Sequence, residues 1–394
     1  MLHRGNKEGR GEGPWLLALV VVCTACGPLT PIQPDAGSGG GAATGGGGST
    51  GGGVSTGGGA ATGGGAATGG GAATGGGAAT GGGAATGGGA ATGGGGVAPL
   101  SWASISLGGV TGSGPIVGLS GTATELYALQ DNGNLYRSTG AAFSLVAQFT
   151  GGVKALHVQG PLIVVVRFRS IEFCTTNCTS AAAFTSIDLI PSGLDGEAAC
   201  GLDATHVAVI ASDTSSNGEL YEWNGTTFVR TNTNLGLRYP RHCWYEPGGA
   251  LNVAGENKIV VIDQGATTPQ TLVASGAVTF FGGFTSPDST WAVGMSGNVH
   301  RRVGSTWSQL TTTTTNTMWT VGGPSANEVY VFGSFGSGYG NGYKWNGTSL
   351  TQTGDILPAG GQQSVFRVSL VTGPNELYVG GQNTSGPVVV RGRR

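Results

Sequence analysis

An all-β fold is expected of residues 98–394, on three observations. Short runs of alternating Val, Tyr, Phe, Trp and Thr are broken every few residues by Gly, Asn or Asp, and no stretch carries the apolar period of an amphipathic helix. One strand-turn unit recurs along the region with a spacing of about 42 residues. Asn-Gly pairs stand between successive strands in more than one copy. A spacing of that size suits a four-stranded blade, so the expected architecture is a seven-bladed β-propeller, seven fitting the spacings better than six or eight. A solenoid would need capping segments, and none is visible in the sequence.

Two segments precede the repeats. Residues 1–25 read as an export signal. Arg4, Lys7 and Arg10 form a positive leader, and Pro14-Trp-Leu-Leu-Ala-Leu-Val-Val-Val-Cys-Thr-Ala25 is a short apolar run. As a helix that run would rise about 18 Å, too little for the roughly 30 Å hydrocarbon core of a bilayer, so cleavage is expected rather than a permanent span. Cys23-Thr24-Ala25-Cys26-Gly27 resembles the lipobox of bacterial lipoproteins, with Cys23 where Leu is usual. The resemblance implies cleavage before Cys26, lipidation of that residue and attachment to a bilayer, where two or more acyl chains hold stably.

Residues 26–97 then form a spacer. Gly-Gly-Gly-Ala-Ala-Thr repeats six times from Gly57 to Thr92, and Asp35 is the only charge between Gly27 and Val97. No large apolar side chain recurs, so nothing can pack to offset chain entropy, and a disordered linker is expected. A coil of about 70 residues has a root-mean-square span near 45 Å.

Within 98–394 each unit opens on a polar or acidic residue followed by an apolar-aromatic strand. Ala123-Thr-Glu-Leu-Tyr-Ala-Leu129, Asp288-Ser-Thr-Trp-Ala-Val-Gly294, Asn327-Glu-Val-Tyr-Val-Phe-Gly333 and Asn375-Glu-Leu-Tyr-Val-Gly-Gly381 are the clearest copies. Looser copies lie at Leu162–Phe168, Thr205–Ala211 and Ala250–Gly255. Asn-Gly in Trp223-Asn-Gly-Thr226 and Trp345-Asn-Gly-Thr348 is expected to supply the positive φ angles of a tight hairpin. The last unit is one strand short. Pro99-Leu-Ser-Trp-Ala-Ser-Ile-Ser-Leu107 resembles the closing strand Ser305-Thr-Trp-Ser-Gln-Leu310, so the N-terminal strand is expected to complete the final blade and remove a free edge.

The Gly-Gly pair after Leu377-Tyr-Val379 and the Trp-Asn-Gly turns resemble the blades of secreted bacterial propellers of the Kelch-like, galactose-oxidase type. With the lipobox, the resemblance implies a bacterial outer-membrane or cell-surface lipoprotein.

Beyond the leader there are four cysteines, Cys174, Cys178, Cys200 and Cys243. An even number in an exported chain reads as two disulfides. Cys174–Cys178 would clip one loop. Cys200–Cys243 would join what read as innermost strands of adjacent blades. A four-cysteine zinc site would want paired C-x-x-C spacings, which are missing.

Composition narrows the function. Charged residues make up 10% of the chain, with 18 Lys plus Arg against 20 Asp plus Glu and a net charge of −2. No basic patch exists to neutralise phosphates, so no nucleic-acid partner is expected. The histidines His157, His206, His242 and His300 have no ligand-like spacing, and neither a metal nor another cofactor is expected. Asp213-Thr-Ser-Ser-Asn-Gly-Glu219 starts like a calcium loop but would put Asn224 in the twelfth position. The recurring Glu125, Asp288, Glu328 and Glu376 read as architectural, bonding nearby backbone N–H groups. No catalytic residues stand out.

Arg238-Tyr-Pro-Arg-His-Cys-Trp-Tyr-Glu246 concentrates cations and aromatics in a chain poor in charge. Arg238, Tyr239, Arg241, His242 and Trp244, with Trp319 and Arg367 at similar inner-strand positions, are the candidate ligand-binding residues. The leading expectation is a membrane-tethered, non-enzymatic recognition or scaffold module for protein or glycan ligands. The alternative is a secreted propeller enzyme, a lyase or glycoside-active protein, which would need two channel-facing carboxylates about 5–10 Å apart.

Overall fold

In each repeat the anchor strand is a near-continuous apolar run, and strands further out alternate. That difference is what a radial stack of small sheets requires. An inner strand is covered on both faces by neighbouring sheets, whereas an outer one meets water on part of its surface. The computed structural model describes residues 98–108, 113–140, 142–189, 193–213, 217–263, 265–272, 278–334, 342–360 and 364–394. The expected export signal, the expected lipidation site Cys26 and the expected glycine linker lie outside the described residues, as do residues 214–216 of the calcium-like loop.

The chain folds as an all-β propeller. It opens with β1 (Ser101–Leu107). Blade 1 is β2 (Ile116–Gly121), β3 (Leu126–Gln130), β4 (Asn134–Ser138) and β5 (Ala142–Gln148). Blade 2 is β6 (Val153–Gln159), β7 (Leu162–Arg167), β8 (Ser170–Cys174) and β9 (Thr185–Asp188). Blade 3 is β10 (Leu194–Gly201), β11 (Val207–Asp213), β12 (Gly218–Trp223) and β13 (Phe228–Asn232). Blade 4 is β14 (His242–Tyr245), β15 (Leu251–Ala254), β16 (Lys258–Asp263) and β17 (Ala266–Thr271). Blade 5 is β18 (Phe280–Ser286), β19 (Ser289–Gly294), β20 (Val299–Val303) and β21 (Thr306–Leu310). Blade 6 is β22 (Met318–Ser325), β23 (Glu328–Gly333), β24 (Gly342–Trp345) and β25 (Leu350–Thr353). Blade 7 is β26 (Val365–Gly373), β27 (Glu376–Asn383) and β28 (Gly386–Arg393), completed by β1.

β1 pairs antiparallel with β28 from Ser101↔Arg393 to Ile105↔Val389. Its last residues, Ser106 and Leu107, pair in parallel with Ala142 and Phe143 of β5, so blades 7 and 1 form one eight-stranded sheet. The second strand of each blade is the repeat anchor. β3, β15, β19 and β23 are buried along their whole length. Outermost strands such as β13 and β21 are mostly exposed or half-buried.

Among the described residues the buried apolar side chains fall into seven clusters, one between each successive pair of blades. Between blades 5 and 6, Trp291, Val293 and Met318 pack with Val331, Tyr343 and Trp345. The rings of Trp291 and Trp345 meet edge-on at 5.6 Å. Between blades 7 and 1, Ile116, Leu119 and Tyr136 meet Tyr378 and Val389. Each fully buried large apolar side chain contributes about 1.5–3 kcal/mol, so the interfaces between sheets hold the ring together.

Two local expectations are corrected. In the Trp-Asn-Gly turns only Gly225 and Gly347 take a positive φ, 97° in both; Asn224 and Asn346 do not. Each asparagine works through its side chain instead. Asn224 Oδ1 accepts the N–H groups of Thr226 (3.0 Å) and Thr227 (2.9 Å), and Asn346 Oδ1 those of Thr348 (3.0 Å) and Ser349 (2.9 Å). The turn is a four-residue Asx turn rather than a two-residue hairpin turn.

The recurring carboxylates bond side chains rather than backbone. Glu125 and Glu328 each accept a hydroxyl at 2.8 Å from the tyrosine two residues on, Tyr127 and Tyr330. Each also pairs with a base on the third strand, Arg137 at 2.7 Å and Lys344 at 2.9 Å. Positions i and i+2 share a strand face, which brings carboxylate and phenol together. Asp288 accepts the Ser286 and Ser289 hydroxyls at 2.9 and 3.0 Å, and Glu376 that of Thr372 at 2.9 Å.

Candidate functional site: a rim of bulged residues

The first strands of the seven blades surround a cavity of about 1180 Å³. Near their N-terminal ends these inner strands share a defect. Their registers against the second strands skip Val117, Lys154, Glu197, Phe281, Trp319 and Arg367. Each is the extra residue of a β-bulge, and all six line the cavity. A bulge gives up regular pairing at one residue and re-aims its side chain. In blade 4 the equivalent residue is Arg241. Its N–H reaches the Ala254 carbonyl at 2.9 Å, the residue that His242 already faces. Pro240, with no N–H to donate, stops the ladder there.

Glycine on the opposing strand makes room for the bulge. A Cβ at Gly294, Gly333 or Gly381 would collide with the carbonyl oxygens of Thr279, Thr317 or Val365 respectively. These are the glycines that close the repeated anchor strands.

The resulting rim gathers cations and aromatics, with Glu197 and Val117 among them. Lys154 Nζ lies 4.2 Å from the centre of the Phe168 ring, which is 45% exposed. The Arg367 guanidinium lies 5.3 Å from the Trp319 ring, and Phe281 packs on Trp319 at 4.4 Å. Trp319 Nε1 donates to Ser334 Oγ. Arg241 pairs with Glu197 of blade 3 and lies 5.9 Å from the Tyr239 ring. Tyr239 sits in the left-handed region at φ 46°. The Asp131 carboxylate is within electrostatic reach of Arg367, and burial holds its pKa above the usual value against that attraction.

Deeper in the cavity lie His157, His242, Trp244 and the Cys200–Cys243 pair. The histidine rings touch the cavity but lie deep in its wall, and burial lowers both pKa values to about 4, so both are neutral near pH 7. His242 stacks on Trp244 at 5.9 Å, and Trp244 Nε1 donates to Thr285 Oγ1 of blade 5 at 3.1 Å. The sulfurs of Cys200 and Cys243 are within bonding distance, their Cα atoms 5.7 Å apart, and link the inner strands of blades 3 and 4. Cys174 and Cys178 are likewise paired, with Cα atoms 5.8 Å apart. Polar bonds tie other inner strands: Val158 N–H to Ser120 Oγ at 2.8 Å, and Thr320 Oγ1 with Ser369 Oγ at 2.7 Å.

Of the residues singled out from sequence, Tyr239, Arg241, His242, Trp244, Trp319 and Arg367 come together around the cavity. Arg238 does not line it. Its side chain turns outward to Glu256 at 3.2 Å and is largely exposed. Trp244 is buried against Gly283 and serves the wall more than the opening. Lys154, Phe168, Glu197, Phe281 and Asp131 were missed. For Phe281 the glycine ending its anchor strand, Gly294, was the available signal; the residues facing the bulges at Lys154 and Glu197 are Arg167 and Ala211, so no glycine marked those two. Among the described residues no group of three or more His, Cys, Asp or Glu side chains is placed to hold a metal ion.

No family model matches the chain. No curated protein matches it either. Solved structures do resemble it. YCF48 bound to a D1 peptide is similar with a TM-score of 0.56 and 15% identity, over 74% of this chain and 97% of that one. YCF48 from Cyanidioschyzon merolae is similar with a TM-score of 0.56 and 10% identity, over 74% of this chain and 99% of that one. At such identity the likeness is one of fold, and the fold it supports is the β-propeller.

Proposed function

We propose that the chain is an envelope lipoprotein, anchored through Cys26 to a bacterial outer membrane or cell surface, whose propeller rim recognises a protein or glycan ligand without catalysing a reaction. The observation that carries this reading is the ring of bulges, in which equivalent backbone positions turn cationic and aromatic side chains into one cavity. Aromatic faces and arginine are the groups enriched at recognition surfaces. The two rim carboxylates face cations, Glu197 with Arg241 and Asp131 with Arg367, rather than each other. Gly380-Gly381 and the Trp-Asn-Gly turns support grouping the blades with Kelch-like ones.

The chain path suits display. Ser101 pairs with Arg393, Arg393 with Glu376, and Glu376 with Gly373 at the far end of β26. Arg367 lies six residues earlier, about 20 Å along that strand. Ala98, held by Arg394 Nε at 2.7 Å, therefore enters on the face opposite the rim. Two disulfides fit an oxidising compartment. YCF48, of similar fold, is seen with a peptide bound, which makes peptides the first ligand class to test.

Two measurements test the reading. Fatty-acid labelling in a bacterial host should mark the wild-type chain and not Cys26→Ser. The full chain applied to peptide and glycan arrays should give signals that Trp319→Ala loses. Silence on both arrays rejects the recognition role.

A further inference from the structure

The basic residues of the blades are for the most part matched with carboxylates, as Arg137 is with Glu125 at 2.7 Å and Arg301 with Asp288 at 3.2 Å. Lys154 and Arg367 are not. Among the described residues neither has a carboxylate within salt-bridge distance, and each rests on an aromatic ring instead. Both occupy bulge positions, in blades 2 and 7, so they flank blade 1, whose own bulged residue is the uncharged Val117. Two cations without a salt bridge thus stand on either side of blade 1, which presents Val117 and the Asp131 carboxylate, each cation with a ring beside it.

We propose that the rim's occupant is an acidic peptide segment, its carboxylates held by Lys154 and Arg367 and its apolar side chains set against Phe168, Val117 and Trp319. The proposal rests on the recognition reading above and names its ligand. An anionic partner supplies the charge these two positions lack, and a carboxylate is matched geometrically by a guanidinium. The cavity of about 1180 Å³ exceeds the roughly 300–1,000 Å³ usual for small-molecule sites, which suits a length of chain. Phe168 and Trp319 already carry a cation against the ring, which leaves less open face for stacking a sugar. Asp131 is the internal competitor, a carboxylate within electrostatic reach of Arg367 in the empty rim.

The test uses the full chain and fluorescence anisotropy with three labelled hexapeptide pools of matched apolar content: Asp/Glu-rich, uncharged, and Lys/Arg-rich. Oligogalacturonate serves as an anionic glycan. The acidic pool should bind at least about tenfold more tightly than the uncharged pool, with affinity falling as salt rises. Lys154→Gln and Arg367→Gln should each weaken it about three- to fivefold, as expected for partly exposed charge pairs. Lys154→Arg should retain most of it, Arg367→Lys should keep the charge but lose part of the binding with the guanidinium fork, and Arg137→Gln, an outlying paired cation, should change nothing. Asp131→Asn should tighten binding about two- to fivefold, a gain that loss of structure could not produce. Equal binding of all three pools, preference for oligogalacturonate, or Gln variants indistinguishable from wild type overturns the proposal while leaving a recognition surface. Failure of every pool and of oligogalacturonate, with the wild-type chain silent on both arrays, overturns the recognition reading as well.

Discussion

The indole of Trp102 stands edge-on to the ring of Tyr330, centroids 5.4 Å apart and planes at 86°. The strand at the start of the domain is thereby packed against blade 6 while hydrogen-bonded to blade 7. Trp102→Ala removes the aromatic pair and part of the packing around Leu100 and Phe332, and should cost about 2 kcal/mol in denaturant unfolding. Deleting residues 98–107 should do more. It uncovers the edges of β28 and β5, so oligomers should appear in size-exclusion chromatography along with a lower unfolding midpoint.

The two disulfides should differ in what they contribute. Cys200 and Cys243 are 43 residues apart, and closing that loop is worth about 4 kcal/mol in the chain-entropy picture. Cys174 and Cys178 are 4 apart, worth about 2 kcal/mol. Paired Cys→Ser replacements, compared by urea denaturation, should therefore lower stability more for the first pair. The reverse order would indicate that the small clip restrains more of the chain than its own loop.

Glycine at the end of an anchor strand answers a crowding requirement. Gly333→Ala or Gly381→Ala drives a methyl into the backbone entering the inner strand and should cost about 2 kcal/mol. Gly248→Ala meets open space and should be close to neutral in the same thermal melt. Equal effects at all three positions would remove the glycines as the counterpart of the bulges.

Burial lowers the pKa of His157, His242 and His300 to about 4 each, below the ordinary histidine value of about 6.5. Between those limits the unfolded chain binds protons that the folded one refuses. Stability then falls as pH drops from about 6.5 toward 4, at up to about 1.4 kcal/mol per pH unit for each histidine. Melting temperatures across that window should decline, and His300→Phe should flatten the decline. A flat profile in the wild type would show that the rings are protonated without penalty.

Much of this fold could be read directly. Glu125, His206, Ser289, Asn327 and Asn375 each begin, or immediately precede, the second strand of a blade. The apolar run there is continuous because neighbouring sheets cover both faces. Closure by the segment around Trp102 was legible from its likeness to Ser305–Leu310. The rim was legible only in part. A bulge is a mismatch between two strands, so no single-strand pattern displays it, and Lys154 and Phe281 read as ordinary strand residues. Trp319 and Arg367 were found because they occupy inner-strand positions similar to those of the cluster between Arg238 and Glu246. Arg238 was included because it adjoins the cluster in sequence, yet Pro240 and the left-handed turn at Tyr239 send it outward. The asparagines were misjudged for another reason: side-chain acceptance and positive φ both favour Asn before Gly, and only coordinates separate them.

The pairing of β1 with β28 also has a temporal side. Ala98 and Arg394 are hydrogen-bonded neighbours 296 residues apart in sequence. A polypeptide emerging from a ribosome or threading a translocation pore delivers its first ribbon early and the docking partner last. Until then that ribbon stays idle and sticky, and the nascent circle cannot latch. Such late, distant contacts slow assembly, so chaperones that hold unfolded chains would have the longest opportunity to act on this stretch.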